Sequence, residues 1–269
     1  MIELSTSPIE TFADIDVILT DIDDTLTTDG RLTSSAYVAM ERLQEAGIFV
    51  VPVTGRCAGW CDHIARMWPV SAVVGENGAF YFRYDHDTKV MYREFRQSSA
   101  ERYENHARLQ SIGNEILSTV HGTALASDQE YRLTDLAIDF AEDVPQLSSE
   151  KIHQIVAIAE QAGLVAKISS IHVNCWIGDH SKLSTSLMML DQVFDIKGDQ
   201  TQENVVFVGD SPNDATMFGY LKKSVGVANV LQYLAELQET PNYITRNKCG
   251  AGFTELADVL LAAQRSKSQ

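Results

Sequence analysis

The sequence has few cysteines, no long apolar run and no leader-like start. Its four cysteines, Cys57, Cys61, Cys175 and Cys249, match no zinc-site spacing, so we interpret them as reduced thiols. No apolar stretch approaches the roughly 20 residues that span a bilayer. The opening MIELSTSPIETF lacks the basic and apolar regions of a secretion signal. These absences predict a cytoplasmic protein that does not bind a membrane.

Positive charge is also scarce. The 269 residues include 37 acidic and 21 basic side chains, for a formal net charge of -16. Nucleic-acid binding needs a basic surface that displaces counterions from phosphates, so this composition argues against a nucleic-acid partner. An anionic small molecule would have to be received by a metal ion or by a few placed cations. With 45% hydrophobic residues, the chain can form one large domain or two smaller ones.

Apolar runs alternate with helical patterns at both ends of the chain. The runs VILT, IFVVPVT and SAVVG lie in the first third, and NVVFVGD, SVGVA and NYIT lie in the last third. Thr33 can cap the helix after the first run, and Gly47 stands where a left-handed residue would end that helix. This alternation predicts an α/β fold with a doubly wound, Rossmann-like parallel sheet covered on both faces.

The middle of the chain follows a different pattern. FYFRYDHDTKVMYREF predicts a hairpin, and a polar helix is predicted from about 98 to 120. Three further strand-like segments, LTDLAIDF, LVAKISS and IHVNCW, flank the amphipathic stretch SSEKIHQIVAIAEQAG. We therefore predict an α+β insert at residues 84–176, within a core formed by residues 1–83 and 177–269.

Polar clusters end three of the predicted core strands. VILT continues into DIDDT, FVVPV into TGR, and NVVFV into GDSPND. Ligands of doubly wound sheets bind beyond the carboxyl ends of the strands, where these clusters would meet. Asp21 and Asp23 would repel each other there unless a cation, a shared proton or water compensates them. One cluster alone could be an Asx turn, but three together with Lys182 in DHSKLS indicate a binding site.

The order of these motifs resembles the haloacid dehalogenase superfamily of phosphohydrolases. The residues that match its four motifs are, in chain order, Asp21, Asp23 and Thr25 of DxDxT, then Thr54, then Lys182, then Asp210 and Asp214 of GDxxxD. The sequence around Lys182 fits the third motif loosely. An insert between the second and third motifs is similar to the type II cap of this superfamily. Its order of elements resembles the subtype found in Cof-like, sucrose-phosphate, trehalose-phosphate and mannosyl-phosphoglycerate phosphatases and in eukaryotic phosphomannomutases.

The resemblance implies roles for the motif residues and a Mg²⁺ cofactor. Asp21 would be the nucleophile that forms an aspartyl-phosphate, and Asp23 would be the general acid and base. Thr54 and Lys182 would hold the phosphoryl oxygens. Residues that would bind the metal or support its ligands are Asp21, Asp23, Asp210, Asp214 and Asn213. Arg56 of TGR could contact the phosphate or form a salt bridge to the acidic rim.

The function implied by the resemblance is a Mg²⁺-dependent phosphomonoesterase acting on a small sugar phosphate. A phosphomutase is an alternative, since it needs the same aspartyl-phosphate to persist, and a non-catalytic sugar-phosphate-binding module is another. A halide-releasing hydrolase is disfavoured because that branch lacks the second acid, which is Asp23 here. The expected partner is a phosphorylated small molecule, and the expected assembly is a monomer or a small homo-oligomer.

Specificity is expected to come from the insert, because nothing in the core motifs distinguishes one leaving group from another. Arg132, His172 and Asn174 are polar residues of the insert that could contact the substrate, although a solvated sheet face would explain them as well. Asn77 in GENGA is interpreted as a turn residue beside Gly78 rather than as a catalytic one.

Overall fold

Strands and helices alternate along the chain, of which the computed structural model describes residues 1–267. The strands are β1 (Ile2–Glu3), β2 (Val17–Thr20), β3 (Thr27–Thr28), β4 (Arg31–Leu32), β5 (Phe49–Pro52), β6 (Val73–Gly75), β7 (Phe80–Asp85), β8 (Val90–Phe95), β9 (Ala124–Leu125), β10 (Asp135–Asp139), β11 (Val165–Ile168), β12 (His172–Trp176), β13 (Val205–Gly209), β14 (Ser224–Gly226) and β15 (Tyr243–Ile244). The α-helices are α1 (Ser34–Glu45), α2 (Ala58–Met67), α3 (Ser99–Thr119), α4 (Ser149–Gln161), α5 (Lys182–Phe194), α6 (Asp199–Asn204), α7 (Ala215–Tyr220) and α8 (Cys249–Lys267). Among the described residues, no helix combines the length and the apolar character that crossing a membrane requires.

A parallel six-stranded sheet forms the centre of the larger body. Its strand order is β1-β15-β14-β13-β2-β5, and β6 continues it through a parallel bridge between Val53 and Val74. Every residue of β2 and β13 is buried, as expected for strands covered on both faces. Two clusters of apolar side chains lie on the two faces. The doubly wound α/β core predicted from the sequence is confirmed.

The sheet order places the three polar clusters side by side. Strand β2 pairs in parallel with β13 on one side and with β5 on the other. Their registers match Thr20 to Val208 and to Pro52, so the three strands end at nearly the same level. The segments DIDDT, TGR and GDSPND, which follow these strands, therefore emerge at one edge of the sheet.

Helix α1 begins and ends at the residues that the sequence predicted. The Thr33 hydroxyl accepts a hydrogen bond from the Ala36 amide at 3.4 Å, which satisfies a free donor of the first turn. Gly47 takes a left-handed backbone, with φ of 82°, just after the last turn. The helix packs on the core through Ala36, Ala39, Met40 and Leu43.

A second body, residues 99–176, forms a smaller antiparallel sheet covered by helices, and we call it the cap. Its strand order is β11-β12-β10-β9, and its own apolar cluster includes Ile116 of α3, Ile155 of α4 and Val173 of β12. Side chains alternate along a strand, so His172 and Asn174 lie on the opposite face of β12 from Val173. Both are nevertheless only 2% exposed. This face of the cap sheet is therefore covered by other parts of the protein.

The hairpin of β7 and β8 departs from the division predicted at residue 84, which lies within β7. Strand β7 pairs with β6 of the core, and Phe80 and Phe82 are buried in an apolar cluster of the core. Phe95 of β8 packs against the same cluster. The hairpin therefore shares the hydrophobic interior of the core. The sequence pattern showed a hairpin but did not show which sheet it would join.

Candidate active site

Three carboxylates and one ammonium group meet at the carboxyl edge of the central sheet. Asp21 follows β2, Asp210 and Asp214 follow β13, and Lys182 begins α5. The three carboxylates each offer an oxygen within 4.8 Å of the others. Lys182 Nζ donates to Asp21 Oδ1 and to Asp214 Oδ1, each at 2.7 Å. All four side chains belong to residues that are at most 4% exposed. The structure thus brings four of the predicted site residues together.

The charges of this buried cluster do not balance. Lys182 contacts Asp21 and Asp214, and Asp210 lies within 4.8 Å of both carboxylates, so three ionised carboxylates would exceed the one ammonium group by two negative charges. Burial raises the pKa of Asp21 to about 7, although Lys182 opposes the shift. Burial and the neighbouring carboxylates also raise the pKa of Asp210 well above its ordinary value. Burial alone would lower the pKa of Lys182, but Asp21 and Asp214 raise it. A divalent cation with a preference for oxygen ligands, such as Mg²⁺, fits this donor set.

Neighbouring polar groups orient the carboxylates after β13. The Thr25 hydroxyl donates to Asp210 Oδ1, and the Asn229 side-chain amide donates to Asp210 Oδ2, both at 3.0 Å. Asp214 Oδ2 accepts the Asp210 amide at 3.1 Å. A Cβ at Gly209 would lie 2.4 Å from Asp214 Oδ2, so this contact requires a glycine before Asp210. Sequence reasoning missed Asn229, although it follows a core strand just as the recognised motifs do.

Thr54 and Asn213 lie on two loops at the same edge. Thr54 follows β5 and is fully buried, and its hydroxyl accepts the Arg56 amide at 3.0 Å. Asn213 lies in the 3-10 turn Pro212–Asp214, and its Oδ1 accepts the Ser211 hydroxyl at 2.8 Å. Local hydrogen bonds therefore fix the shape of both loops, and Asn213 directly precedes Asp214 of the acidic cluster.

Asp23 is paired with Arg56 instead of joining the acidic cluster. The Arg56 guanidinium donates to both Asp23 oxygens at 2.7 to 3.1 Å and to Glu142 Oε1 of the cap at 2.8 Å. Of the two roles considered for Arg56, the salt bridge is the one observed. Glu142 also lies 2.9 Å from His172 Nε2. Burial alone would raise the pKa of Glu142, but contacts with His172 and Arg56 lower it to about 2.

Cap residues face Asp21 across a very small space. His172, Asn174 and Ser170 line a cavity together with Asp21 and Arg56. Its volume is about 10 Å³, room for roughly one water molecule. The interpretation of His172 and Asn174 as a solvated sheet face is therefore wrong, because that face of the cap lies against the core. Sequence reasoning also missed Glu142. Its position shortly after a predicted strand of the insert is the sequence feature that could have pointed to it.

Arg132 has a different place from the one predicted. Its side chain is fully buried, and its guanidinium donates to Asp128 at 2.9 Å and to Asp135 at 3.0 Å. It also donates to the Gly55 carbonyl of the TGR loop at 2.9 Å. These contacts occupy the guanidinium within the protein, so the expected contact with substrate is absent from this arrangement. The two acids lie close to Arg132 in sequence, and they neutralise it while it joins the cap to the core.

Known proteins resemble this chain in sequence and in architecture. The family model for haloacid dehalogenase-like hydrolases matches residues 18–156, more than half of the chain. Phosphoglycolate phosphatase of Methanobrevibacter smithii is 24% identical over 243 residues, which cover 90% of this chain and 96% of that protein. Phosphoglycolate phosphatase 1 of Saccharolobus solfataricus is 27% identical over 254 residues, which cover 93% of this chain and 97% of that protein.

A solved structure extends the likeness to the cap. The sucrose-phosphatase of Synechocystis, determined with sucrose and phosphate, aligns with a TM-score of 0.62 at 15% identity. The alignment covers 92% of this chain and 98% of that protein, so it includes both core and cap. At this identity the likeness concerns the fold alone. The family match, by contrast, rests on the sequence, and the chain therefore belongs to the haloacid dehalogenase-like hydrolase family, as a phosphatase with a type II cap.

Proposed function

We propose that this phosphatase is a Mg²⁺-dependent phosphomonoesterase that forms an aspartyl-phosphate on Asp21. The observation that carries the proposal is the buried cluster of Asp21, Asp210 and Asp214 around Lys182, with its excess of negative charge. Mg²⁺ bound to these carboxylates would neutralise them and draw charge from the phosphoryl oxygens. Asp21 and Asp210 would hold the ion. Asp214 would orient Lys182, to which it is bonded at 2.7 Å.

The reaction has two steps. In the first, a carboxylate oxygen of Asp21 forms a bond to phosphorus while the bond to the leaving oxygen breaks, and Asp23 gives that oxygen a proton. In the second, Asp23 takes a proton from water, and the water oxygen attacks phosphorus and releases phosphate from Asp21. Lys182 Nζ, 2.7 Å from Asp21, and the Thr54 hydroxyl would donate to the phosphoryl oxygens.

The pairing of Asp23 with Arg56 favours a substrate that carries a second anionic group. Asp23 cannot reach a leaving oxygen while Arg56 holds both of its carboxylate oxygens. A carboxylate on the leaving group would compete for the guanidinium, since arginine binds carboxylates in a bidentate manner. Binding of such a substrate would release Asp23 for proton transfer.

The proposed substrate is therefore a small phosphorylated hydroxy acid such as 2-phosphoglycolate. Two relatives that align with at least 90% of this chain are phosphoglycolate phosphatases. The space between core and cap is only about 10 Å³, so a small leaving group needs less widening of that space than a large one does. Arg56 and His172, which both line that space, can meet a carboxylate there.

A small sugar phosphate is the second candidate. Ser170 and Asn174 line the same space and carry uncharged polar groups of the kind that hydrogen-bond to hydroxyls. A phosphomutase would use the same site, provided that the aspartyl-phosphate persists until a sugar hydroxyl attacks it.

Phosphate release tests the proposal. The substrates are 2-phosphoglycolate, a panel of sugar phosphates and a generic aryl phosphate, each assayed with Mg²⁺ and with excess chelator. We expect activity in Mg²⁺, its loss in chelator, and the highest kcat/KM for 2-phosphoglycolate. Full activity in chelator would remove the metal from the mechanism. A preference for one sugar phosphate would leave the mechanism in place and replace the proposed substrate.

A further inference from the structure

We infer that Asn77 is a further substrate-binding residue, whose side-chain amide donates a hydrogen bond to an oxygen of the transferring phosphoryl group. The inference rests on the proposed phosphatase mechanism and adds a residue to it. Asn77 lies in the segment GENGA, outside the four motifs that led to the family. Its turn was expected from the sequence, whereas a role for its side chain was not.

The first argument is an unpartnered donor. Asn77 is 2% exposed, and its Nδ2 has no hydrogen-bond partner among residues 1–267. Leaving a buried amide donor unpaired costs about 1–3 kcal/mol, so such groups are rare unless a ligand or water completes them. A Cβ on Gly55 would lie 3.1 Å from this Nδ2 and 3.2 Å from Asn174 Oδ1. The amide therefore lies directly over the TGR loop.

The second argument is position. The backbone N–H of Asn77 donates to the Thr54 carbonyl at 3.0 Å, so the backbone of Asn77 is hydrogen-bonded to the loop proposed to bind phosphate. On its other side, the Gly78 carbonyl accepts the Thr185 hydroxyl of α5 at 2.5 Å. A Cβ on Gly78 would lie 2.0 Å from the Ser181 carbonyl oxygen, which explains the glycine there. The turn is thus held between Thr54 and the first residues of α5.

The cavity beside this turn brings Asn77 together with Lys182 and other polar side chains, among apolar residues and Glu236. Asn77 lines a space of about 190 Å³ together with Ser181, Lys182 and Asn213. Lys182 is the cation of the acidic cluster, and Asn213 also lines the small space over Asp21. Gly55, over which the Asn77 side-chain amide lies, lines that same small space, so the amide lies beside the reaction centre. The amide can donate a hydrogen bond there without adding a charge to the site.

The third argument is backbone strain. Glu76 and Asn77 both adopt the left-handed region, with φ of 43° and 55°. Such conformations of non-glycine residues are uncommon and persist only where the surroundings enforce them. The backbone conformation of Glu76 is held by its buried carboxylate, which accepts hydrogen bonds from the Ala58 amide at 2.9 Å and the Thr134 amide at 2.7 Å. Glycine would fit the backbone of Asn77 more easily. Among non-glycine residues asparagine adopts this backbone readily, so the strain lies mainly at Glu76, and the feature of Asn77 that indicates a ligand is its buried, unpaired donor.

The test compares Asn77→Gly and Asn77→Asp with the unmodified enzyme. Glycine keeps the left-handed backbone and removes the amide, whereas aspartate keeps the shape and replaces the donor by a negative charge. We measure kcat and KM on three phosphomonoesters, and affinity for orthovanadate and inorganic phosphate by calorimetry in Mg²⁺. Lys89→Gly is the matched control, because Lys89 is an exposed hairpin residue with φ of 56°.

We expect Asn77→Gly to lower kcat/KM by about 10- to 100-fold on all three substrates, as for a lost hydrogen bond to a charged group. Affinity for both anions should fall in parallel, Asn77→Asp should lose more, and Lys89→Gly should match the unmodified enzyme. Unchanged anion affinity in a folded Asn77→Gly or Asn77→Asp protein would overturn the inference. So would a loss confined to one leaving group. An unmodified enzyme that hydrolysed no phosphomonoester would refute the proposed function instead, and the calorimetry would still decide the role of Asn77.

Discussion

At the scale of single residues, Lys182 decides whether the acidic cluster can stay buried. It bonds Asp21 and Asp214 at 2.7 Å, and removing one partner of a buried ion pair costs about 3–5 kcal/mol. We therefore expect Lys182→Ala to lower the free energy of unfolding by that order. Turnover should fall by a similar factor on every substrate, because in the proposed mechanism Lys182 donates to the phosphoryl group that all of them share. Urea denaturation and steady-state kinetics measure these effects.

The control for this variant is Lys197→Ala. Lys197 pairs with Asp191 and Asp195 at 3.0 to 3.2 Å, but its side chain is 64% exposed, and exposed pairs contribute little. We expect unchanged kinetics from the control. If Lys182→Ala spared one substrate and impaired another, Lys182 would belong to the pocket for the leaving group.

Asp21 supplies the next prediction. Asp21→Asn keeps the shape of the side chain and loses the proposed nucleophile, so we expect no measurable turnover. Burial raises the pKa of Asp21 to about 7, so at pH 8 the folded protein must hold an ionised carboxylate in an unfavourable buried position. In chelator at pH 8 the Asp21→Asn variant should therefore be more stable than the unmodified enzyme. Each kcal/mol corresponds to about 2–4 °C in Tm for a chain of this size. Near-normal activity, or a lower Tm in chelator, would contradict the assignment.

The sequence pointed to some of these residues and not to others, for physical reasons. Asp21, Asp210 and Thr54 each follow an apolar strand, and the ends of neighbouring parallel strands must meet. The partnership of Arg56 with Glu142 joins residues 86 positions apart across two bodies, and local patterns carry no signal for it. Asn77 was interpreted from turn statistics, which describe its backbone and leave its side chain undetermined.

At the scale of elements, buried polar contacts fix the cap to the core. Glu76 of the core accepts the Leu133 and Thr134 amides of the cap at 2.9 Å and 2.7 Å. Arg132 of the cap donates to the Gly55 carbonyl of the core at 2.9 Å. Because the hairpin of β7 and β8 packs on the core, we propose that the cap begins after residue 95.

The Arg132 network gives a prediction about pH. Burial raises the pKa of Asp135 from 3.8 to about 7, although Arg132 opposes the shift. The folded state therefore binds more protons than the unfolded state between these values, so the contribution of Asp135 to stability falls as the pH rises. We expect the unfolding free energy of the unmodified protein, minus that of Asp135→Asn, to fall by about 1–3 kcal/mol from pH 5 to pH 8. Denaturant titrations at both pH values measure this difference.

Subtracting the unfolding free energy of the variant removes the contribution of titrating groups that both proteins share. As a control, Asp258→Asn alters an acid whose side chain is 57% exposed and pairs with Arg42. Because exposed pairs contribute little, its difference from the unmodified protein should be small at both pH values. A difference for Asp135→Asn that is equally flat would mean that Asp135 is ionised at little cost in the folded protein.

At the scale of the whole molecule, both the net charge of the chain and the closed position of the cap affect how an anionic substrate reaches Asp21. The chain carries a formal net charge of -16, so an anionic substrate approaches against a repulsive field. Lys182 and Arg56 are buried cations at the end of that approach. The space over Asp21 has a volume of only about 10 Å³, so a substrate enters only when the cap moves away from the core. The pair of Arg56 with Glu142 holds the cap in place at that point.

Glu142→Gln tests this closure. The change removes the charge of Glu142 and nearly preserves its shape, so Arg56 loses a competitor for an anionic leaving group. We expect KM for 2-phosphoglycolate to fall about fivefold, which corresponds to about 1 kcal/mol for a partly exposed pair. KM for an aryl phosphate without a carboxylate should change less than twofold.

Hydrogen exchange in Glu142→Gln should also increase at residues 141–143, whose backbone amides donate to Asp139 at 2.8 to 2.9 Å, because the cap opens more often. Asp258→Asn again serves as the control, since it breaks an exposed pair in the core. An equal change in KM for both substrates would place the leaving-group carboxylate away from Arg56, whereas unchanged exchange would show that Glu142 does not hold the cap closed.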